Sequence, residues 1–231
     1  MNAPKIEILT MEDCPRTAET IAFVRSVAAE LVPESPVTHT AVKDEGHARR
    51  LTFSGYPTVR VNGACLDGRR DHDAPPTRKP YGDVTLPPRW LLEAAILRAL
   101  APRSYLFLCV ANSARSQMAE GIARSLAPAD VTVASAGSEP AGVRPEAVQV
   151  LAEIGIDIAS HHAKSVDDIP PAGVEAVITL CAEEVCPTWL GNAHRVHWGL
   201  PDPAAADSAG DLDAFRATRD ELKRRLTVLF P

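Results

Sequence analysis

The chain has 231 residues, enough for one large domain or two of ordinary size. Hydrophobic residues at 45% and charged residues at 23% are globular proportions that exclude disordered, collagenous and disulfide-stapled classes. The net charge of −6 argues against a nucleic acid or an anionic membrane as a partner held by general electrostatics. The charge is uneven: residues 1–101 carry 13 basic and 13 acidic side chains, residues 102–231 carry 11 and 17. An anion bound by the second half must be held by local geometry. Met1 to Leu9 lack the basic stretch and apolar run of a signal peptide, and no apolar run approaches the roughly 18 residues that span a bilayer. A cytoplasmic protein is expected.

Two α/β patterns follow one another. Lys5 to Thr10 alternate like a half-buried strand, and Cys14-Pro15 open a helix whose apolar positions Ile21, Val24, Ala28 and Leu31 precede a stop at Pro33. Val37 to Val42 read as a second strand. Past a short polar segment, Gly55 to Val61 give a turn and a strand, and Asn62-Gly63 a tight hairpin turn into Ala64-Cys65-Leu66. Asp67 to Pro88, rich in Pro, Gly and charge, read as an irregular loop, and Trp90 to Leu100 as an apolar-faced helix. Ala101 to Ser104 form the expected boundary between domains 1–101 and 102–231.

The second pattern runs strand Tyr105 to Val110, helix Ser116 to Leu126, strand Val131 to Ser135, helix Pro145 to Ile154, strands Ala176 to Leu180 and Arg195 to Trp198, and helix Leu212 to Leu229. Such alternation predicts a parallel, doubly wound sheet with its ligand site beyond the strands' carboxyl ends. The first strand-helix turn is therefore the place to look for chemistry.

That turn reads Cys109-Val110-Ala111-Asn112-Ser113-Ala114-Arg115-Ser116. A loop of this length can converge its backbone N–H groups on one point while the helix start adds partial positive charge, which makes an oxyanion cradle. Arg115 adds a planar fork for two oxygens of a tetrahedral anion, and Ser116 can donate to Cys109, favouring its nucleophilic thiolate. No Gly-x4-Gly-Lys loop is present, so a nucleoside triphosphate is not implied.

The segment Cys109 to Glu120 resembles the phosphate loop of the low-molecular-weight tyrosine phosphatases and of the arsenate reductases that share their fold, a likeness extending over residues 104–231. Its implied fold is α/β with a four-stranded parallel sheet. Val177 to Pro187, His197 to Pro203 and the closing helix are similar to the thiol-coupled arsenate reductases, and Ala204 stands where the phosphatases carry a tyrosine after Asp-Pro. In the mechanism this implies, Cys109 attacks arsenic, Asp202 is the general acid, and Cys181 and Cys186 relay the disulfide to an external thiol reductant of thioredoxin, glutaredoxin or mycothiol type. Arsenate is the implied substrate, with phosphate or sulfate as mimics. Tyrosine phosphatase activity and non-catalytic arsenite binding by Cys109, Cys181 and Cys186 are the rival readings. Family members also hold a potassium ion near the loop. Asn112, Glu120 and Ser135 match positions of that site, but its other ligands are not evident, and Lys164 offers a cation of its own, so no metal is expected.

Cys181-x4-Cys186 with His194-x2-His197 superficially suggests zinc, but two histidines three apart on a strand point to opposite faces. His161-His162 are expected on a solvated turn. Residues 4–100 resemble the thioredoxin or glutaredoxin fold in their strand-Cys14-helix start and in Tyr56-Pro57-Thr58. Thr17 stands where a dithiol oxidoreductase has its second cysteine, so Cys14 is a possible single thiol of a redox or docking module. Cys65 is expected to be a packed residue.

Overall fold

The computed structural model describes residues 3–53, 57–66, 86–182, 191–205 and 212–231. Tyr56, Cys186 and residues 67–85 of the loop expected from Asp67 to Pro88 lie outside them. The chain divides into two compact units, Met1–Ala101 and Pro102–Pro231. Ala101 caps the last helix of the first unit in a left-handed conformation, and Pro102, which lacks a backbone donor, follows it.

In the first unit, β1 (Ile6–Met11), α1 (Thr17–Leu31) and β2 (Val37–Val42) form a parallel β-α-β unit with Ile6 opposite Val37. β3 (Thr58–Val61) runs antiparallel to β1 and turns through Asn62 and Gly63 into β4 (Ala64–Cys65), giving the sheet order β2-β1-β3-β4. Both turn residues have positive φ, 51° and 81°, the geometry for which Asn-Gly is suited. The expected polar segment contains a short helix, α2 (Glu45–Arg50), capped by Asp44, whose carboxylate accepts the His47 N–H at 2.7 Å. α3 (Arg89–Leu100) is buried at every position from Leu91 to Leu97, so its apolar character surrounds the helix rather than forming a stripe. The buried carboxylate of Glu93 takes Arg89 at 2.7 Å, and Arg89 also bonds Glu30 of α1.

In the second unit, β5 (Ser104–Cys109), β6 (Thr132–Gly137), β7 (Ala176–Cys181) and β8 (His194–Leu200) form one parallel sheet in the order β6-β5-β7-β8. α4 (Arg115–Leu126), α5 (Pro145–Ala152) and α6 (Leu212–Leu229) pack around it. β5 and β7 are central and buried on both faces, which is why Tyr105 to Leu108 and Ala176 to Ile178 are unbroken apolar runs. Phe107, Met118, Ile178, Trp198, Phe215 and Leu222 are all under 2% exposed, each worth roughly 1.5–3 kcal/mol of burial. This core fixes the carboxyl ends of β5, β6 and β7 beside the start of α4.

Candidate active site

Cys109 ends β5 and is buried; α4 begins at Arg115, one residue earlier than the apolar pattern suggests. The loop between them is held from outside. Val110 O accepts the N–H of Glu139, Ala111 O that of Ala141 and Ser113 O that of Arg144, at 2.9–3.0 Å. Because a trans peptide sets each carbonyl opposite the next N–H, the N–H groups of Ala111, Asn112 and Ala114 point away from segment 139–144. Three of the loop's carbonyls are therefore turned to that segment, and the N–H groups of the same peptides face the other way. The α4 N-cap, Ala114, supplies no side-chain cap, so the amides of the first turn extend the donor face.

Asn112, fully buried with φ at 43°, makes the reversal that the loop requires. Its Oδ1 accepts the Lys164 backbone N–H at 2.8 Å and Gln117 Nε2 at 3.0 Å, which assigns its amide unambiguously. Nδ2 is therefore the atom that donates to Ser116 Oγ and Ser135 Oγ, both at 2.8 Å. Ser116 Oγ, which accepts that donation, also lies in hydrogen-bond contact with Cys109 Sγ, 2.9 Å away. Ser135 in turn gives its hydrogen to Glu120 Oε2 at 2.5 Å.

Arg115, 3% exposed, donates to Leu200 O at 3.0 Å and lies 3.4 Å from Asp202 Oδ2. Asp202 Oδ1 accepts the Ala204 N–H at 3.1 Å. The sequence thus names Cys109, Asn112, Arg115, Ser116 and Asp202, and the fold gathers them. Cys181 ends β7, the strand next to β5, in register with it through Leu108 and Thr179. Cys109 and Cys181 are both buried. The other relay candidate, Cys186, lies outside the described residues.

Gly137 was not singled out from the sequence. It ends β6 opposite Cys109, and a Cβ there would sit 2.2 Å from Val110 O and 2.8 Å from Asn112 N. Only glycine lets the loop lie this close. His161 departs from the solvated turn expected of it. His162 is exposed, but His161 is half-buried, its Nδ1 2.9 Å from Gln117 Oε1 and its Nε2 3.4 Å from Arg124. Burial, helped by the charges of Arg124, Lys164 and His162 and opposed by Glu120, holds its pKa below the ordinary 6.5. His194 and His197 both lie within β8, where His197 Nδ1 meets Thr179 Oγ1 at 2.8 Å. Among the described residues, no three His, Cys, Asp or Glu side chains are grouped to hold a metal ion. In the first unit, Cys14 is half-buried just before α1, and Thr17 Oγ1 lies 2.9 Å from Cys14 O and 3.1 Å from Thr10 Oγ1, which contacts His39 Nε2 at 2.9 Å. Cys65 is buried in β4.

Residues 104–231 match the family described as low molecular weight phosphotyrosine protein phosphatase. An arsenate reductase of Halalkalibacterium halodurans is 43% identical over 124 residues, 52% of this chain and 89% of that protein. An arsenate reductase of Staphylococcus aureus is 38% identical over 126 residues, 54% of this chain and 93% of its own. A solved arsenate reductase in the phosphate binding state shares 34% identity over 55% of this chain and 96% of its own, with a TM-score of 0.49. No helix among the described residues is long and apolar enough to cross a membrane.

Proposed function

Given that this chain belongs to the family of low molecular weight phosphotyrosine protein phosphatases, we propose that its second unit is an arsenate reductase that draws its electrons from its own thiols and an external reductant. The observation that carries this reading is the pairing of a loop nucleophile with a second buried thiol. Cys109 and Cys181 end neighbouring parallel strands. Hydrolysis of a phosphoester needs one thiol, an acid and water. Reduction of arsenate needs two electrons, which two thiols deliver when they become a disulfide.

The donor face of the loop and Arg115 bind the arsenate oxygens, and Cys109 Sγ attacks arsenic while Asp202 protonates the departing oxygen, which leaves as water. Cys181 then attacks Cys109 Sγ. The sulfur–sulfur bond forms as the sulfur–arsenic bond breaks, its electron pair stays on arsenic, and arsenite is released. Cys186 attacks Cys181, freeing Cys109 as a thiolate and leaving a Cys181–Cys186 disulfide for an outside thiol to reduce. The protein needs no resident cofactor for this chemistry, and its setting is the cytoplasm.

The first unit is a thioredoxin-like module. Its parallel β-α-β start, its antiparallel hairpin and the position of Cys14 ahead of α1 support that assignment. Arsenite formation by the purified full chain, supplied separately with thioredoxin, glutaredoxin and mycothiol systems, tests the function. Turnover with at least one system is expected. Rapid thiol-independent hydrolysis of an aryl phosphate with no arsenite formed would overturn it.

A further inference from the structure

Glu120 is 1% exposed, and a carboxylate so deeply buried must be matched by charge and hydrogen bonds. Its Oε1 takes Arg124 at 2.5 Å, and its Oε2 takes Ser135 Oγ at 2.5 Å and Lys164 Nζ at 3.2 Å. Lys164 is the better sheltered of the two cations, its side chain 22% exposed against 52% for Arg124, and its ammonium also donates to His162 O at 3.3 Å.

The three side chains at positions implied for a potassium ion do not fit one. Asn112 turns Nδ2 toward Ser135, and a donor cannot ligate a cation. Its oxygen is already taken by the Lys164 N–H and Gln117 Nε2. Ser135 Oγ accepts from Asn112 and spends its hydrogen on Glu120, and the Glu120 oxygen facing it is in contact with an ammonium. An alkali-metal ion brought to that oxygen would meet the Lys164 charge at contact distance.

We propose that Lys164 is this loop's own cation: its ammonium neutralises Glu120 where relatives would place a potassium ion, and Lys164 is thereby a positioning residue for Cys109. The connection is continuous. From Lys164 Nζ it runs through Glu120, Ser135, Asn112 and Ser116 to Cys109 Sγ, each step a hydrogen bond of 3.2 Å or less. The backbone of Lys164 braces the same chain, because its N–H holds Asn112 Oδ1 and its carbonyl accepts the N–H of Gly137 at 3.0 Å. Loss of the ammonium leaves Arg124 on Oε1 but only the Ser135 hydroxyl facing Oε2, so the demand of that oxygen falls on Ser135 and through it on the orientation of the Asn112 amide. The loop then loses the network that holds Ser116 Oγ against Cys109 Sγ.

The test uses the full chain and two readouts that need no arsenate: the melting temperature, and the rate at which iodoacetamide labels Cys109, followed by peptide mass mapping. Each is measured in potassium, sodium and choline chloride at equal ionic strength. The wild-type protein is expected to be the same in all three salts. Lys164→Met in choline should melt lower and label Cys109 several-fold more slowly, with both deficits reduced by potassium, and Lys164→Arg should retain wild-type labelling. A wild-type response to potassium over choline would overturn the proposal. So would a Lys164→Met protein equal to wild type, or one whose deficits potassium leaves untouched. Should Lys164→Met fail to fold, Lys164→Gln and the wild-type salt series decide by the same criteria.

Discussion

The guanidinium of Arg115 reaches the carboxylate of Asp202 at 3.4 Å while donating to Leu200 O, so one side chain links the start of α4 to the loop beyond β8. A planar fork can keep that link with some of its N–H groups and offer others to an anion, which an ammonium cannot do. Arg115→Lys should therefore lower kcat/KM for arsenate by about a hundredfold, the scale of losing one oriented charged donor. Asp202→Asn separates the roles: KM should hold while kcat falls roughly 10² to 10⁴-fold, the range of a lost general acid. Steady-state arsenite formation by the two variants is the measurement. A raised KM with unchanged kcat in Asp202→Asn would mean that the carboxylate binds and does not protonate.

Gly137→Ala should damage the site without touching any polar group. The new Cβ meets backbone atoms of Val110, Asn112 and Cys109, none of which can rotate away. Overpacking of this kind costs about 1–3 kcal/mol, and the shift falls on the loop itself. Thermal melting should show the loss of stability, and slower Cys109 alkylation should show that the loop has moved.

The limits of the sequence are visible at single residues. The Cys109 loop is legible because its chemistry is local: nucleophile, donors and arginine occupy eight consecutive positions. Asn62-Gly63 is legible because its backbone demand is written in the residue types. Gly137 is not, since its constraint arises only when β5 and β6 register Cys109 against it, 28 positions away. His161 is hidden for the same reason, its partner Gln117 lying 44 positions back. α2 escapes because it buries no residue and so leaves no apolar period, although Asp44 at its cap and Arg49 and Arg50 in its last turn mark both ends.

Glu153 gives a pH signature unrelated to catalysis. Hydrogen bonds from Arg216 and then Arg219 hold its pKa down from 4.5 to about 2, binding the end of α5 to α6. A carboxyl whose folded pKa is depressed stabilises above its unfolded value and loses that contribution as pH falls toward the folded one. The difference in melting temperature between wild type and Glu153→Gln should be constant above pH 4.5 and shrink between there and pH 2. Glu153 is exposed, Arg216 is partly exposed and only Arg219 is buried, so the difference should be small and should shrink further in high salt.

The relay cysteines separate reduction from hydrolysis. Cys181→Ser should stop arsenite release yet leave slow cleavage of an aryl phosphate, because only the redox route needs that thiol. Cys186→Ser should permit one turnover and trap a Cys109–Cys181 disulfide, visible as a crosslinked peptide by mass spectrometry. Repeated turnover in either variant would remove that cysteine from the pathway.

The first unit should not make the protein a self-sufficient reductase. Cys14 lies half-buried just ahead of α1 and is the thiol of this unit placed to attack a disulfide. Thr17, at the position of a resolving thiol, gives its hydroxyl to the Cys14 carbonyl and the Thr10 hydroxyl instead. A mixed disulfide formed at Cys14 would therefore wait for an outside thiol such as glutathione or mycothiol. Tethering at Ala101-Pro102 gives the unit a high effective concentration only where the two thiol sites can meet. Steady-state arsenite formation by the full chain, by Cys14→Ser and by residues 102–231 alone, each with and without an added thiol system, measures this. None should turn over without the added system. Equal rates in its presence would mark the first unit as a docking module, whereas a loss shared by Cys14→Ser and the shortened chain would show Cys14 carrying electrons. Multiple turnovers by the full chain with no thiol added would overturn the argument from Thr17.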